Sequence, residues 1–237
     1  MNKKYLLLIV FGICLILVSS TGISKVMPIS LEQIIINMDK NISGYDDQYM
    51  ELTMVIYDTN DKVKKYDFKM WQKGTDKRLL RFTSGEMKGM SMLILDRNNV
   101  WVYLPAYKRV RRVAAANMKQ SIAGSDFTND DMAASSWAKE WDCKQTKDDE
   151  KFWYLACTPK KGVKLSYAAA NIVLDKNTFQ QDHVDYFNAA GEKIKVYYGK
   201  ELTTFPGGAR RQKIVGMKDP RTKHKTELVS KVSKVNV

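Results

Sequence analysis

The stretch Met50-Glu51-Leu52-Thr53-Met54-Val55-Ile56 alternates apolar with mostly polar side chains at a period of two. Successive side chains of a β-strand point to opposite faces, so the four even-numbered apolar residues of this stretch share one face. The same alternation recurs at 66–71 and 79–83, and more continuously apolar runs follow at 90–95 and 100–104. Strands covered on both faces give such continuous runs. The pattern therefore predicts a mainly-β protein.

The remainder of the chain extends the same architecture. An amphipathic helix precedes the first strand, where Ser30 and Gln33 fit an N-terminal capping box, and Thr128 and Asp131 suggest a second, short helix. No linker or fixed-period repeat divides residues 23–237. We predict one domain, a strongly curved antiparallel sheet or unclosed β-barrel of about eleven strands with an N-terminal helix and a short helical lid. The later strands are expected around 140–146, 152–158, 171–175, 181–188, 193–199, 210–217 and 225–235.

Residues 1–22 have the pattern of a secretory signal peptide. A basic start precedes an apolar run over 6–18, which is shorter than the roughly 20 residues that cross a bilayer. Small residues at Ser20 and Gly22 favour cleavage near Gly22, and an uncleaved membrane anchor is the alternative. Cys14 lacks the small residues that lipid attachment requires before it, so no lipoprotein is predicted. The expected location is the bacterial envelope.

The formal net charge is +13, from 39 Lys and Arg against 26 Asp and Glu. An exported protein does not meet nucleic acid, so an anionic membrane surface or an acidic partner is the better explanation of this charge. The densest basic run lies at 108–112, where Lys108, Arg109, Arg111 and Arg112 are candidate contacts for either. A solvated strand face is the alternative interpretation of this run.

Cys143 and Cys157 are the cysteines left after cleavage, and an even pair in an oxidising compartment suggests a disulfide. Glu150, in a polar turn, is their midpoint, so a hairpin centred there places them opposite one another on paired strands. The alternatives are two free thiols or a redox site, although no C-x-x-C spacing supports the latter.

Residues with catalytic potential are few. His183 and His224 have no other ligand-type residue at metal-binding spacing, and Ser125 does not lie in a G-x-S-x-G turn. No glycine-rich phosphate loop is present in the sequence. We therefore predict neither metal, cofactor nor catalysis, and keep a hydrolase acting through Ser125 as a minor hypothesis.

Several motifs resemble one protein family. Asp96 followed by Val100-Trp101-Val102-Tyr103-Leu104-Pro105 is similar to a segment of LolA-like outer-membrane lipoprotein-sorting proteins. Arg109-Val110-Arg111-Arg112-Val113, then Gly124-Ser125-Asp126-Phe127 and Asp130-Asp131, resembles one branch of that family. The resemblance covers nearly all of residues 23–237 and is most specific over 89–131.

The resemblance implies an unclosed barrel whose apolar cavity, under a helical lid, holds lipoprotein acyl chains or another lipid in the periplasm. Methionine is abundant, at twelve residues, and its flexible thioether suits variable apolar ligands, although it also simply fills cores. Residues expected in the cavity are Met50, Leu52, Met54, Ile56, Phe68, Met70, Leu80, Phe82, Met90, Met92, Trp101 and Tyr103.

One motif departs from the family. The general carriers have W-x-K-R-P, whose arginine latches the lid, whereas the matching stretch at 71–75 places Gly74 at the latch position. Arg78 and Arg81 are the candidate replacements. This difference leaves two functions open, both for an expected monomer: a periplasmic lipid or lipoprotein carrier, or an envelope adaptor of an inner-membrane RND-type lipid transporter.

Overall fold

The computed structural model describes residues 29–60 and 62–237. The predicted signal peptide at 1–22, with Cys14 and the cleavage position near Gly22, lies outside these residues. Within the described ranges, no helix has both the length and the apolar character needed to cross a membrane.

The described residues form thirteen strands and three α-helices. The helices are α1 (Leu31–Ser43), α2 (Asn129–Met132) and α3 (Trp137–Glu140). The strands are β1 (Asp47–Tyr57), β2 (Val63–Lys73), β3 (Lys77–Phe82), β4 (Ser91–Asp96), β5 (Asn99–Leu104), β6 (Arg109–Arg112), β7 (Trp141–Asp148), β8 (Phe152–Pro159), β9 (Ala169–Asp175), β10 (Gln181–Phe187), β11 (Lys193–Thr204), β12 (Arg210–Lys218) and β13 (Lys225–Val235).

All thirteen strands belong to one antiparallel sheet in the order β6-β5-β4-β3-β2-β1-β13-β12-β11-β10-β9-β8-β7. Strands β6 and β7 are therefore the two free edges, and the sheet does not close. The chain passes from one edge to the other through residues 113–140, which contain α2 and α3 and which we call the lid. The predicted mainly-β fold with an unclosed sheet, an N-terminal helix and a short helical lid is confirmed.

The predicted number of about eleven strands is too low. The sequence suggests the edge strand β6 only as one interpretation of the basic run. All four of its residues are exposed and three are arginine, so no buried face marks it as a strand. Its strand conformation comes from pairing with β5, in which Trp101 lies opposite Arg112 and Val102 opposite Arg111. A long-range contact of this kind leaves little trace in local alternation.

Helix α1 packs its apolar stripe onto the C-terminal half of the sheet. The Ser30 hydroxyl accepts a hydrogen bond from the Gln33 backbone N–H at 3.2 Å, whereas the Gln33 side chain bonds Asn37 instead of returning to Ser30. The predicted N-cap is thus present without its reciprocal half. The stripe contributes Ile34, Ile35 and Met38 to a cluster that also contains Trp137, Trp141, Trp153, Leu155, Ile172, Leu174 and Val184.

The predicted disulfide between Cys143 and Cys157 is confirmed. The two residues lie directly opposite one another on β7 and β8, with Cα atoms 4.1 Å apart. The bridge therefore fastens the edge strand β7 to its only neighbour in the described sheet.

Candidate functional site

A cavity of about 310 Å³ lies between the concave face of the sheet and the lid. Strands β1 and β2 supply Met50, Leu52, Phe68 and Met70, and the lid contributes Phe127. Its other lining residues are Asn41, Ile42, Gln72, Arg78, Arg97, Asp130, Asp131, Met132, Ala134, Ser135, Ser136, Trp137, Glu140, Trp141, Leu165, Tyr167, Gln180, Gln181, Tyr186, Tyr197, Arg211, Gln212, Val215, Met217, Leu228 and Ser230.

Four of the twelve residues expected in the cavity line it. Six more lie on the same face of the sheet but are buried in the hydrophobic cluster beside the cavity and do not line it. They are Met54, Ile56, Leu80, Phe82, Met90 and Met92. Both interpretations of the methionines therefore apply, since Met50 and Met70 line the cavity and the other predicted methionines fill the core. Lipid contact by any of these residues stays a prediction.

The predicted placement of Trp101 and Tyr103 in the cavity is corrected. On β5, Val100 is fully buried on the concave side, so the alternating Trp101 and Tyr103 must project from the convex side. The periodicity correctly grouped Trp101 with Tyr103, but only the pairing of β5 with β4 shows to which side the group points.

A buried ionic cluster attaches both lid helices to the turn between β4 and β5. Arg97, in the turn between β4 and β5, binds the Glu140 carboxylate with both Nε and Nη2, at 3.0 and 2.9 Å, and also pairs with Asp130. The three side chains are at most 16% exposed. Although burial alone opposes the charge of Arg97, its hydrogen bonds and ion pairs with Glu140 and Asp130 raise its pKa.

Arg78 on β3 fastens the middle of the lid. Its Nη1 donates to the backbone carbonyls of Met132 and Ala134, at 2.9 and 2.6 Å, while Nε donates to Gln72 Oε1 and Nη2 to Thr75 O. Burial lowers the pKa of Arg78 to about 10. Of the two arginines considered as a replacement latch, Arg78 contacts the lid and Arg81 is exposed.

Gly74, at the position of the family's latch arginine, lies in the turn between β2 and β3. Its φ of +60° is a left-handed conformation that glycine adopts without strain. Its carbonyl accepts a hydrogen bond from Gln72 Nε2 at 2.8 Å, and Gln72 is the cross-strand partner of Arg78. The turn therefore positions the Gln72 side chain, which in turn accepts a hydrogen bond from Arg78.

The G-S-D-F motif anchors the lid to the last strand. The Asp126 carboxylate accepts hydrogen bonds from Thr226 Oγ1 and faces His224 Nδ1, both at 2.8 Å, and the Asp126 backbone N–H donates to Thr226. The buried Ser125 hydroxyl bonds the backbone of Phe127, whose ring lines the cavity. These contacts give the motif a structural role that its sequence did not disclose.

The two acidic residues that follow the motif have separate roles. Asp131 completes the predicted capping box with Thr128, accepts from Tyr167 at 2.7 Å and pairs with Lys195 at 3.2 Å. Asp130, in the first turn of α2, pairs with Arg97 and accepts a hydrogen bond from the Ser166 backbone N–H. No signal in a single sequence relates Arg97 to a carboxylate 33 positions later.

Three tyrosines close the far side of the cavity. Burial raises the pKa of Tyr167, Tyr186 and Tyr197, with the Asp131 charge adding to the effect at the first two. Tyr167 and Tyr186 stack with ring centroids 4.2 Å apart. These phenols therefore remain neutral and offer apolar faces with hydroxyl edges to an occupant of the cavity.

The convex face carries an apolar row across five strands. Tyr49, Trp71, Leu79, Leu93 and Trp101 lie opposite one another in succession from β1 to β5, and the row continues on β6 to Arg112. Trp71 is 40% exposed and Leu93 is 39% exposed. A shallow groove of about 290 Å³ follows the row and is lined by Leu79, Ser91, Leu93, Trp101, Tyr103 and Val110.

The basic run lies at the β6 edge of this groove, with Arg112 on the convex face opposite Trp101 and with Arg109 and Arg111 alternating to the other face. Lys108 adopts a left-handed turn with φ of +49°, and Arg109, Arg111 and Arg112 follow on the free edge strand β6. Arg112 donates to Asn98 O and Asn99 Oδ1, whereas the other three project into solvent. The structure thus joins two features that the sequence showed separately, the basic run and the Trp101 and Tyr103 pair.

The candidate catalytic groups do not assemble. His183 contacts the neighbouring Asp182, while His224 and Ser125 are held by the lid contacts above. In the described part of the chain, no group of three His, Cys, Asp or Glu side chains is arranged to hold a metal ion.

Comparison with known proteins identifies a family and a fold. A family model described as "Uncharacterized protein" matches residues 74–237. No curated protein matches the sequence. A structure of a DUF1329 family protein from Desulfovibrio piger is 24% identical and superposes with a TM-score of 0.78, covering 87% of this chain and 92% of the other.

Two further structures share the architecture. A protein from Vibrio parahaemolyticus, described as a putative outer membrane lipoprotein-sorting protein domain, is 19% identical with a TM-score of 0.77, over 87% of this chain and 92% of its own. A LolA superfamily protein from Nitrosomonas europaea is 15% identical with a TM-score of 0.74, over 88% and 94%. The LolA-like fold expected from the motifs is confirmed.

Proposed function

This chain belongs to the family of uncharacterized proteins whose model covers residues 74–237, and because its fold is LolA-like we propose that it is a periplasmic carrier of acylated lipoprotein or lipid. The observation that carries this proposal is the lidded cavity of about 310 Å³ on the concave face. The names of the neighbours from Vibrio and Nitrosomonas, and the predicted signal peptide, support the sorting role and the location.

The cavity chemistry suits an acyl chain. Met, Leu, Phe and Val side chains line the cavity. About ten acyl CH₂ groups covered by them would contribute about 8 kcal/mol to the binding free energy, at ~0.8 kcal/mol each. A carrier must also release such a ligand. The lid provides the means, because the free energy needed to open it reduces the apparent affinity for cargo.

Filling part of the cavity should weaken lipid uptake. Val215 lines the cavity from β12, so we expect Val215→Trp to lower the bound fraction of an acylated peptide at least about tenfold, the loss that about two uncovered CH₂ groups produce. Native mass spectrometry after incubation with the peptide measures the bound fraction.

The matched control is Val63→Trp, which adds the same side chain at a position 49% exposed on β2. Its uptake should equal that of the unmodified protein. Uptake by neither the unmodified protein nor the control, with both proteins folded, contradicts the carrier proposal. Equal uptake by Val215→Trp would place the ligand elsewhere.

The convex face supports a contact between the carrier and an anionic membrane surface. Tryptophan and tyrosine favour the membrane interface, and the groove that contains Trp101 and Tyr103 ends at the exposed edge strand β6, which carries the basic run. This juxtaposition favours a lipid surface over an acidic protein partner. An adaptor docked on an RND-type transporter through the same run is the second candidate function.

Charge reversal on β6 should weaken membrane binding. Replacing Arg109, Arg111 and Arg112 together by Glu is expected to lower affinity for phosphatidylglycerol vesicles more than about a hundredfold, since each basic residue near such a surface contributes about 1 kcal/mol. Vesicle cosedimentation at low and high salt measures the change, which salt should diminish.

Replacing Lys144, Lys147 and Lys151 together by Glu makes the same charge change at exposed positions near the opposite edge of the sheet. This control should retain most of the binding. Equal losses in the two triple variants would show that only net charge matters. If vesicles do not bind but transport activity in cells depends on β6, the adaptor function is favoured.

A further inference from the structure

The sheet divides at one end of the cavity. Strands β12 and β13 pair only from Ile214 to Lys218 on β12 and from Lys225 to Val229 on β13. Beyond this point residues 210–212 stay paired with β11, and residues 230–235 of β13 stay paired with β1. We call this divergence the fork. It leaves a gap between neighbouring strands where the cavity is lined by Arg211 and Ser230.

Among the described residues, no carboxylate contacts Arg211, which crosses the fork. Its Nη2 donates to Gln48 Oε1 at 2.7 Å, its Nη1 contacts only the Met50 sulfur at 3.0 Å, and the Tyr45 ring lies 5.8 Å away. Its Nε is buried and has no hydrogen-bond partner. Burial lowers the pKa of Arg211, and the interaction that offsets this effect comes from the Tyr45 phenol instead of a carboxylate.

A second unsatisfied group lies at the fork. Ser233 is 1% exposed, and its hydroxyl has no hydrogen-bond partner. It is the cross-strand partner of Met50, whose sulfur touches Arg211. Arg211 Nε and Ser233 Oγ are the two buried side-chain polar atoms left unbonded in the described residues; Arg211 lines the cavity, and Ser233 lies opposite the cavity-lining Met50. Buried polar atoms are normally bonded, so two unbonded polar groups near one end of the cavity indicate a site for a polar ligand group.

The other cavity arginines are already occupied. Arg97 is neutralised by Asp130 and Glu140, and the donors of Arg78 are bound to protein oxygens. Arg211 is therefore the cavity arginine with an unused donor, and an apolar wall that includes Met50, Val215 and Leu228 adjoins it.

We propose that the fork binds the anionic group, phosphate or carboxylate, of a lipid whose acyl chain occupies the adjoining cavity. This inference rests on the carrier function and specifies its ligand class. The Arg211 guanidinium donates from Nε and Nη1 to the anion, for which a thioether is a weak competitor, and Ser233 donates its hydroxyl to the same group. A lipid with a neutral head group offers no anion to the Arg211 and Ser233 donors.

The test compares lipids that have the same acyl chains but different head groups. Hexadecanoate, dihexadecanoyl phosphatidate and the neutral hexadecanol and dihexadecanoylglycerol compete against bound N-phenyl-1-naphthylamine, and dissociation constants are read from fluorescence. We expect each anionic lipid to bind about tenfold to a hundredfold more tightly than its neutral counterpart, as hydrogen bonds to a charged group allow. For each anionic lipid, the ratio of its affinity to that of its neutral counterpart shows whether phosphate or carboxylate is preferred.

Arg211→Gln should bring the ratio of anionic to neutral affinity down to about one, and Arg211→Lys should keep part of the preference. Arg210→Gln makes the same charge change at the exposed neighbouring position and should behave like the unmodified protein. Equal affinity for anionic and neutral heads, or a preference that survives Arg211→Gln, overturns the fork as an anion site and leaves the carrier proposal standing. Failure of the probe and all four lipids to bind overturns both.

Discussion

Replacement of Arg97 by Met is expected to lower the free energy of unfolding by about 3–5 kcal/mol, the range observed when one partner of a buried ion pair is removed. The substitution leaves the Asp130 and Glu140 carboxylates buried without their shared cation. Asp130 lies at the start of α2 and Glu140 at the end of α3, so both lid helices should lose their attachment together. Urea denaturation measures the change.

The control for this prediction is Arg81→Met, which makes the same chemical change at an exposed position of β3. Its effect should stay within about 0.5 kcal/mol, as for most surface substitutions. Adding Asp130→Asn and Glu140→Gln to Arg97→Met should recover part of the loss, because neutral side chains are less costly to bury unpaired. A loss below about 1 kcal/mol for Arg97→Met would contradict the role of this cluster.

Arg78→Met is expected to open the lid without disrupting the sheet. The Met132 and Ala134 carbonyls lose their donor, and each buried acceptor left unbonded costs about 1–3 kcal/mol. We expect a loss of about 3 kcal/mol, concentrated in the lid. This corresponds to amide hydrogen exchange about a hundredfold faster over residues 128–136.

Exchange in β8 and β9 should not change in the same variant, because Arg78 makes no hydrogen bond to either strand. Arg78→Lys is a sharper control than Arg81→Met here, since it keeps a charge but cannot reach four acceptors in a planar geometry. Exchange rates that rise equally in the lid and in the sheet would show that Arg78 supports the fold in general and is not a latch.

Sequence periodicity predicted what depends on local order. The alternation at 50–56 identified a strand with one buried face, and the equal spacing of Cys143 and Cys157 about Glu150 identified their pairing. The Thr128 capping box was also predictable, because its two partners are three residues apart. Each of these features is determined by neighbours along the chain.

Other features depend on which distant strands meet. Alternation groups Trp101 with Tyr103, but the convex position of that group follows from the pairing of β5 with β4. The fork follows from the unequal pairing of β12 with its two neighbours, and Arg97 reaches the lid only because the sheet curves. Curvature and strand divergence are properties of the assembled sheet, so a single sequence does not disclose them.

The two attachments of the lid have a mechanical consequence. Residues 113–140 are joined covalently to β6 at one end and to β7 at the other, so the lid is a tether of fixed contour length between the two margins of an open arc. A flap held at one end can swing away freely, whereas a tether can only slacken or tighten. Any occupant that spreads the arc therefore pulls on the tether, and the volume of the interior and the tension across its opening change together.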